Sequence, residues 1–207
     1  MATKRTIAER PFSFIQRLKE ISRFFAKNDE VHKSMRRLVK RLEQARISYA
    51  VVGGMAVNAH GQRRTTKDVD VLVTAEGLEE FRRRYVRKNY QQQPNRSRRF
   101  MDRVNNVEID FLVTGHYPGR GGPAPFPFPD PDAASEEIEN YRVVTLVQLI
   151  QLKLAARRHY DFGDVVALIG VHDLNESFAE RLHPGVHQDY IECLEEKRRE
   201  DEYEARQ

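Results

Sequence analysis

The chain has 207 residues and carries 35 Lys and Arg against 31 Asp and Glu, a formal net charge of +4. That length supports one sizeable core with appended helices, and no repeat of fixed period is visible. The single Cys193 excludes an intrachain disulfide, no apolar run reaches membrane-spanning length, and no N-terminal apolar stretch with a cleavage site is seen, so a cytoplasmic setting is expected. The modest basic excess permits a nucleic-acid partner without requiring one.

In chain order, residues 12 to 27 place Phe14, Ile15, Leu18, Ile21 and Phe25 at helical spacing, and residues 31 to 46 repeat the pattern with Val31, Met35, Leu38 and Leu42. A short strand, 48 to 52, then meets Gly53-Gly54, and Met55 to His60 is predicted as a helix ending at Gly61. An extended Arg64-x-Thr66-x-Asp68 segment leads into a strand at 69 to 73, followed by a charged helix from about 76 to 88. Two strands, 98 to 103 and 107 to 113, flank an Asn105-Asn106 turn.

Residues 115 to 132 hold six of the nine prolines and four of the eleven glycines, which predicts a polyproline-like strap over the site that follows the 107 to 113 strand. A proline-rich ligand for another protein is the other reading of that stretch. Thr145 to Gln148 matches a capping box and opens a helix through about Arg158. Lys153 continues its apolar stripe of Leu146, Leu149 and Ile150, and an inward lysine needs an anion or must snorkel. A further helix begins at Tyr160 or Asp161 with Asp164 in its first turn, and a charged helix spans 186 to 206.

The residues that carry chemistry centre on Asp68-Val69-Asp70. In a strand the two carboxylates share one face, roughly 6.5 Å apart, and repel unless a cation lies between them. Arg64 and Thr66 fall on the same alternation, so one face offers a guanidinium, a hydroxyl and two carboxylates, groups suited to phosphate and Mg²⁺ together. A polar edge with surface aspartates is the alternative for an isolated Asp-x-Asp. Glu108-Ile109-Asp110 repeats the same-face spacing, and Asp110 is placed to act as a third carboxylate. Gly53-Gly54, between a strand and a helix, lets backbone N–H groups approach phosphates.

Taken together, Gly53-Gly54-Met55-Ala56 with His60-Gly61, then Arg64-x-Thr66-x-Asp68-x-Asp70 after thirteen intervening residues, resembles the nucleotidyltransferase superfamily with a polymerase-beta-like fold. The string is most similar to its AbiEii-type toxin branch and that branch's bacterial relatives, and Leu149 to Lys153 with Asp161 to Val165 resembles the later motifs. The resemblance covers about residues 31 to 172. It implies an α+β nucleotidyltransferase fold, a small mixed β-sheet flanked by helices; the segments 1–30 and 173–207 lie outside it and are expected from their residue pattern to be helical extensions.

It further implies Asp68, Asp70 and Asp110 as catalytic metal ligands for Mg²⁺, as two ions, and Gly53, Gly54, Arg64, Thr66, Lys153 and Asp164 as nucleotide-binding residues. The implied activity is transfer of a nucleoside monophosphate from an NTP to an acceptor hydroxyl. RNA, tRNA in particular, is the favoured acceptor, with a protein or a small molecule such as an antibiotic as alternatives. A toxin role implies a cognate antitoxin; a non-catalytic antitoxin or scaffold of the same fold is the competing class. Gly54 stands where many members of the superfamily have Ser.

Overall fold

The computed structural model of the chain describes residues 14–27, 29–119 and 124–207. Its centre is the parallel pairing of β2 (Asp68–Val73) with β5 (Val107–Val113), which runs unbroken from Asp68↔Glu108 to Val73↔Val113. Around this pair lie β1 (Tyr49–Val51), β3 (Tyr90–Gln92), β4 (Arg99–Asp102), β6 (Ser135–Ile138) and β7 (Tyr141–Val144). They form one mixed seven-stranded sheet in the order β3-β4-β5-β2-β1-β7-β6. The helices are α1 (Phe14–Phe25), α2 (Glu30–Gln44), α3 (Gly53–Ala59), α4 (Ala75–Tyr85), α5 (Leu146–Ala156), α6 (His159–Val171) and α7 (His187–Glu204). The architecture is therefore α+β, as expected, with a larger sheet than the sequence pattern indicated.

Alternation along the two central strands sorts their side chains by face. Val69, Val71, Ile109 and Phe111 are fully buried, while Asp68, Asp70, Glu108 and Asp110 point the other way. Behind the sheet, Phe81 of α4 packs on Phe111 at 4.7 Å and on Phe100 at 5.6 Å between ring centroids, with Tyr90 at 5.0 Å. This aromatic cluster fixes β5 and β4 from the side opposite the carboxylates.

α2 is tied to β4 by a buried polar joint. Asp102, with no exposed surface, accepts from Ser34 Oγ at 2.8 Å, Arg37 Nη1 at 2.6 Å and the Val104 amide at 3.0 Å. Such a carboxylate is tolerated only because each partner is in place.

Three strands lacked a sequence signal. β6 and β7 are joined by Glu139 and Asn140, both left-handed at φ 50° and 67°, a two-residue turn that a Glu at its first position disguises. β3 is three residues long with two exposed glutamines, too short to show alternation. In α1 the buried aromatic is Phe24, whereas Ile21, assigned to the apolar stripe, is 44% exposed; residues 12 and 13 of that predicted helix lie outside the described residues.

The described ends of the Pro/Gly-rich segment fold back on β5. Gly115 N–H donates to Phe128 O at 2.9 Å and Phe128 N–H to His116 O at 2.7 Å, and Phe128 enters the core. Phe126 stacks on His183 at 4.8 Å, and a Cβ at Gly185 would lie 2.5 Å from the Pro125 side chain, so residues 183–185 brace the strap. The core continues through Phe178, Leu182, Val186, Tyr190 and Leu194. Among the described residues no helix is long and apolar enough to cross a membrane.

The Asp102→Ala variant is expected to lose about 3–5 kcal/mol of stability, because Arg37 and Ser34 are left facing an uncompensated pocket. The midpoint of urea unfolding measures it; a shift no larger than that of an exposed Asp132→Ala control contradicts the role of the joint.

Candidate active site

The β2–β5 register places Asp68 beside Glu108 and Asp70 beside Asp110 on one face of the sheet. Neighbouring strands lie about 4.8 Å apart, so four carboxylates crowd into a small patch. Their surroundings differ. Thr66 Oγ1 donates to Asp68 Oδ1 at 2.5 Å. Glu108 accepts from Gln93 Nε2 at 2.6 Å and Arg99 Nη1 at 3.0 Å, and Asp110 accepts from Arg99 Nε at 3.0 Å.

Asp70 sits deepest. Burial, then the charges of Asp68 and Asp110, push its carboxyl from the ordinary 3.8 up to about 7, against the pull of Arg158 and Lys153. Asp110 is also raised, because burial outweighs the stabilising Arg99 and Arg98. Both shifts reflect negative charge gathered where water is scarce.

The glycine pair is shaped by this patch. Gly53 has φ +61°, and a Cβ there would lie 1.9 Å from Asp70 Oδ2. A Cβ at Gly54 would lie 2.8 Å from Thr66 Cβ and 2.9 Å from its Oγ1. Thr66 thus fills the space a serine at 54 would need, which gives a steric reason for Gly54. The pair forms the first turn of α3 rather than a loop before it. Asn58 of α3 holds the extended segment in place, donating to Gly54 O at 2.9 Å and Arg64 O at 2.7 Å.

Arg64 does not join Thr66, Asp68 and Asp70 on their face; it pairs with Asp164. Lys153, 6% exposed, places Nζ 2.5 Å from Asp164 Oδ2 and 3.2 Å from Asp161 Oδ1. Arg158 clasps Asp161 through Nε at 2.6 Å and Nη2 at 3.0 Å. The result is a chain of alternating charge, Arg64, Asp164, Lys153, Asp161 and Arg158, that borders the carboxylate patch.

A cleft of about 450 Å³ opens over the patch, lined by Asp70, Asp110, Lys153 and Arg158, by Arg96, Arg98 and Arg99, and by Tyr117, Pro118, Gly119 and Phe128 of the strap. Arg98 Nη1 lies 3.1 Å from His116 Nδ1 and, among the described residues, forms no ion pair, although its charge is felt at Asp110. Among the described residues the Arg96 side chain has no hydrogen-bond or ion-pair partner. The three arginines of α4 are different: Glu79 pairs with Arg82, and Glu80 with Arg83 and Arg84, so each of them has a carboxylate partner on its own helix.

Asp68, Asp70 and Asp110 offer oxygen donors of the kind hard divalent cations take, and the crowding that raises Asp70 is the strain a cation relieves. As the side chains stand, however, no group of three His, Cys, Asp or Glu among the described residues is arranged to hold a metal ion. Arg99 is engaged with Asp110 and would compete with a cation for that carboxylate. Arg99 and Arg158 are the residues that sequence reasoning missed. Arg99 was legible in principle: a four-residue turn between Asp102 and Val107 sets Arg99 opposite Asp110. Arg158 falls at the end of the helix expected from Thr145, where the pattern gives it no distinct role.

No family profile matches the chain, and no curated protein matches it. Among the solved structures that resemble it are two from Helicobacter pylori. One is a candidate nucleotidyltransferase from H. pylori, 18% identical with a TM-score of 0.43, over 78% of this chain and 80% of that one. The other is JHP933 from Helicobacter pylori, also 18% identical with a TM-score of 0.43, over 72% of this chain and 69% of that one.

The Asp70 shift has a definite sign. Between the ordinary 3.8 and about 7 the folded state holds a proton that the unfolded chain releases, so this group's contribution to stability falls as pH rises through that window and stays low above it. With a chelator present, Asp70→Asn is expected to melt above the parent protein at pH 8, by on the order of 5 °C, with the gap closing toward pH 4. Differential scanning calorimetry across pH reads this; a pH-independent gap contradicts it.

Proposed function

We propose that the chain is a divalent-cation-dependent nucleotidyltransferase that moves a nucleoside monophosphate from an NTP to an acceptor hydroxyl. The observation that carries this reading is the in-register pairing of Asp70 with Asp110 at the floor of a cleft walled by guanidinium groups. Carboxylates facing cations across a cleft of about 450 Å³ suit a phosphorylated ligand bound with a hard metal.

Asp68 and Asp70 would hold Mg²⁺, with Asp110 joining once Arg99 gives way. Mg²⁺ bound there would neutralise phosphate charge and polarise the phosphoryl oxygens. Asp110, whose carboxyl burial raises from its ordinary value, suits a base that takes the proton of the acceptor hydroxyl. The acceptor oxygen then bonds to the α-phosphorus, the bond from that phosphorus to the bridging oxygen breaks, and pyrophosphate leaves. Gly53 and Gly54 bring backbone close to the phosphates, and Thr66 orients Asp68.

The acceptor we assign is RNA, with tRNA the leading case. Its support is Arg96 and Arg98 at the cleft, guanidiniums without a carboxylate partner, which suit a phosphate backbone. Placement in the AbiEii-type toxin branch, with a cognate antitoxin, belongs to the same reading and rests on the glycine and Asp-x-Asp motifs. A non-catalytic scaffold is the second reading, favoured by the hold of Arg99 on Asp110.

Incubation with labelled NTPs, Mg²⁺ and cell extract is expected to yield a labelled product of RNA size. Asp70→Ala is expected to reduce labelling at least about 100-fold; undiminished labelling overturns the metal mechanism, and calorimetry showing no Mg²⁺-dependent NTP binding by the parent protein favours the scaffold. Acceptor binding should also weaken steeply with salt, by roughly tenfold or more between 50 and 200 mM if several phosphates are held. A flat salt response excludes RNA as the acceptor.

A further inference from the structure

Arg158 stands at the corner between α5 and α6. Arg157 ends α5 in the left-handed conformation at φ 51°, and Arg158 follows in extended backbone at φ −87° and ψ 145° before α6 begins. The corner directs the side chain into the cleft instead of along either helix. Its Nε and Nη2 are committed to the two oxygens of Asp161, which is 2% exposed and whose Oδ1 also accepts from Lys153 Nζ. A clasp of this kind sets the plane of the guanidinium and leaves both N–H groups of Nη1 and one of Nη2 uncommitted.

Lys153 is placed differently. Its ammonium is buried between Asp161 and Asp164, and withdrawing it toward a ligand would break two buried ion pairs at once, leaving each carboxylate to its arginine alone. The Arg158 side chain is 67% exposed, so an anion can reach it while its contact with Asp161 stays in place. Arg158 also acts on Asp70 more strongly than Lys153 does, which places its charge at the carboxylate patch.

We infer that Arg158, held by Asp161, is the residue that receives the phosphate chain of the nucleotide, and that Lys153 is a positioning residue acting through Asp161. The inference rests on the nucleotidyl-transfer reading and moves to Arg158 the phosphate contact that the sequence resemblance implied for Lys153. The chain Arg64, Asp164, Lys153, Asp161 and Arg158 is then a brace whose outer end meets the ligand. A pre-set guanidinium loses little freedom on binding, which is the advantage over a free lysine at the same place.

Binding of Mg²⁺ with each of ATP, GTP, CTP and UTP to the full chain, measured by calorimetry, tests the assignment. For the nucleotide that binds, Arg158→Gln is expected to weaken affinity roughly 10- to 100-fold, while melting closer to the parent protein than Lys153→Met does. Arg158→Lys should recover part of the loss. In the Arg158→Gln background, Lys153→Met is expected to weaken binding no further; where Lys153→Met does not fold, Asp161→Asn takes its place with the same expectation.

Unchanged affinity in Arg158→Gln overturns the assignment alone. An additional loss in the double variant overturns the positioning role of Lys153. If the parent protein binds none of the four nucleotides, the nucleotidyl-transfer reading falls and the assignment with it.

Discussion

The parallel pairing of β2 with β5 is the constraint on which the rest of the molecule depends. Its register sets Asp70 against Asp110 and Asp68 against Glu108, and the alternation that gathers four carboxylates on one face gathers Val69, Val71, Ile109 and Phe111 on the other. A slip of one residue would bury the acids and expose the aliphatic side chains. The aromatic cluster of Phe81, Tyr90, Phe100 and Phe111 therefore acts on the site from behind, by making any other register costly.

Concentrated negative charge then dictates what surrounds it. On one flank Arg99 spans Glu108 and Asp110; on the other the chain from Arg64 to Arg158 brings three cations to two carboxylates and leaves net positive charge beside Asp70. The two flanks are not equivalent. Arg99 engages the patch directly through Asp110, whereas the cations of the α5–α6 corner are held by carboxylates of their own. The arrangement suits a site that receives metal and polyphosphate together, since each compensates the charge the other brings.

The strap and the C-terminal segment belong to the same construction. Tyr117, Pro118 and Gly119 form part of the cleft wall, Phe128 anchors the returning strand of the strap, and residues 183–185 brace it through Phe126 and Pro125. Pairing at its base, between Gly115, His116 and Phe128, gives the proline-rich segment a fixed exit from β5.

Local pattern alone determined a good deal. Period-2 alternation put Asp68 with Asp70 and Glu108 with Asp110 on shared faces, helical spacing located α2 and α5, and Thr145 capped α5 as its capping box indicated. These are properties of a few consecutive residues, so they can be read without knowing what lies across the sheet. Which strands are neighbours is not such a property. That β5 lies beside β2, that Arg99 reaches Asp110, that Thr66 fills the space over Gly54, and that Arg64 and Lys153 turn to Asp164 all depend on contacts between residues far apart in the chain. The carboxylates were legible because their spacing is local; the cations that govern them were decided by tertiary structure, because a long flexible side chain takes its partner from whatever the fold brings within reach.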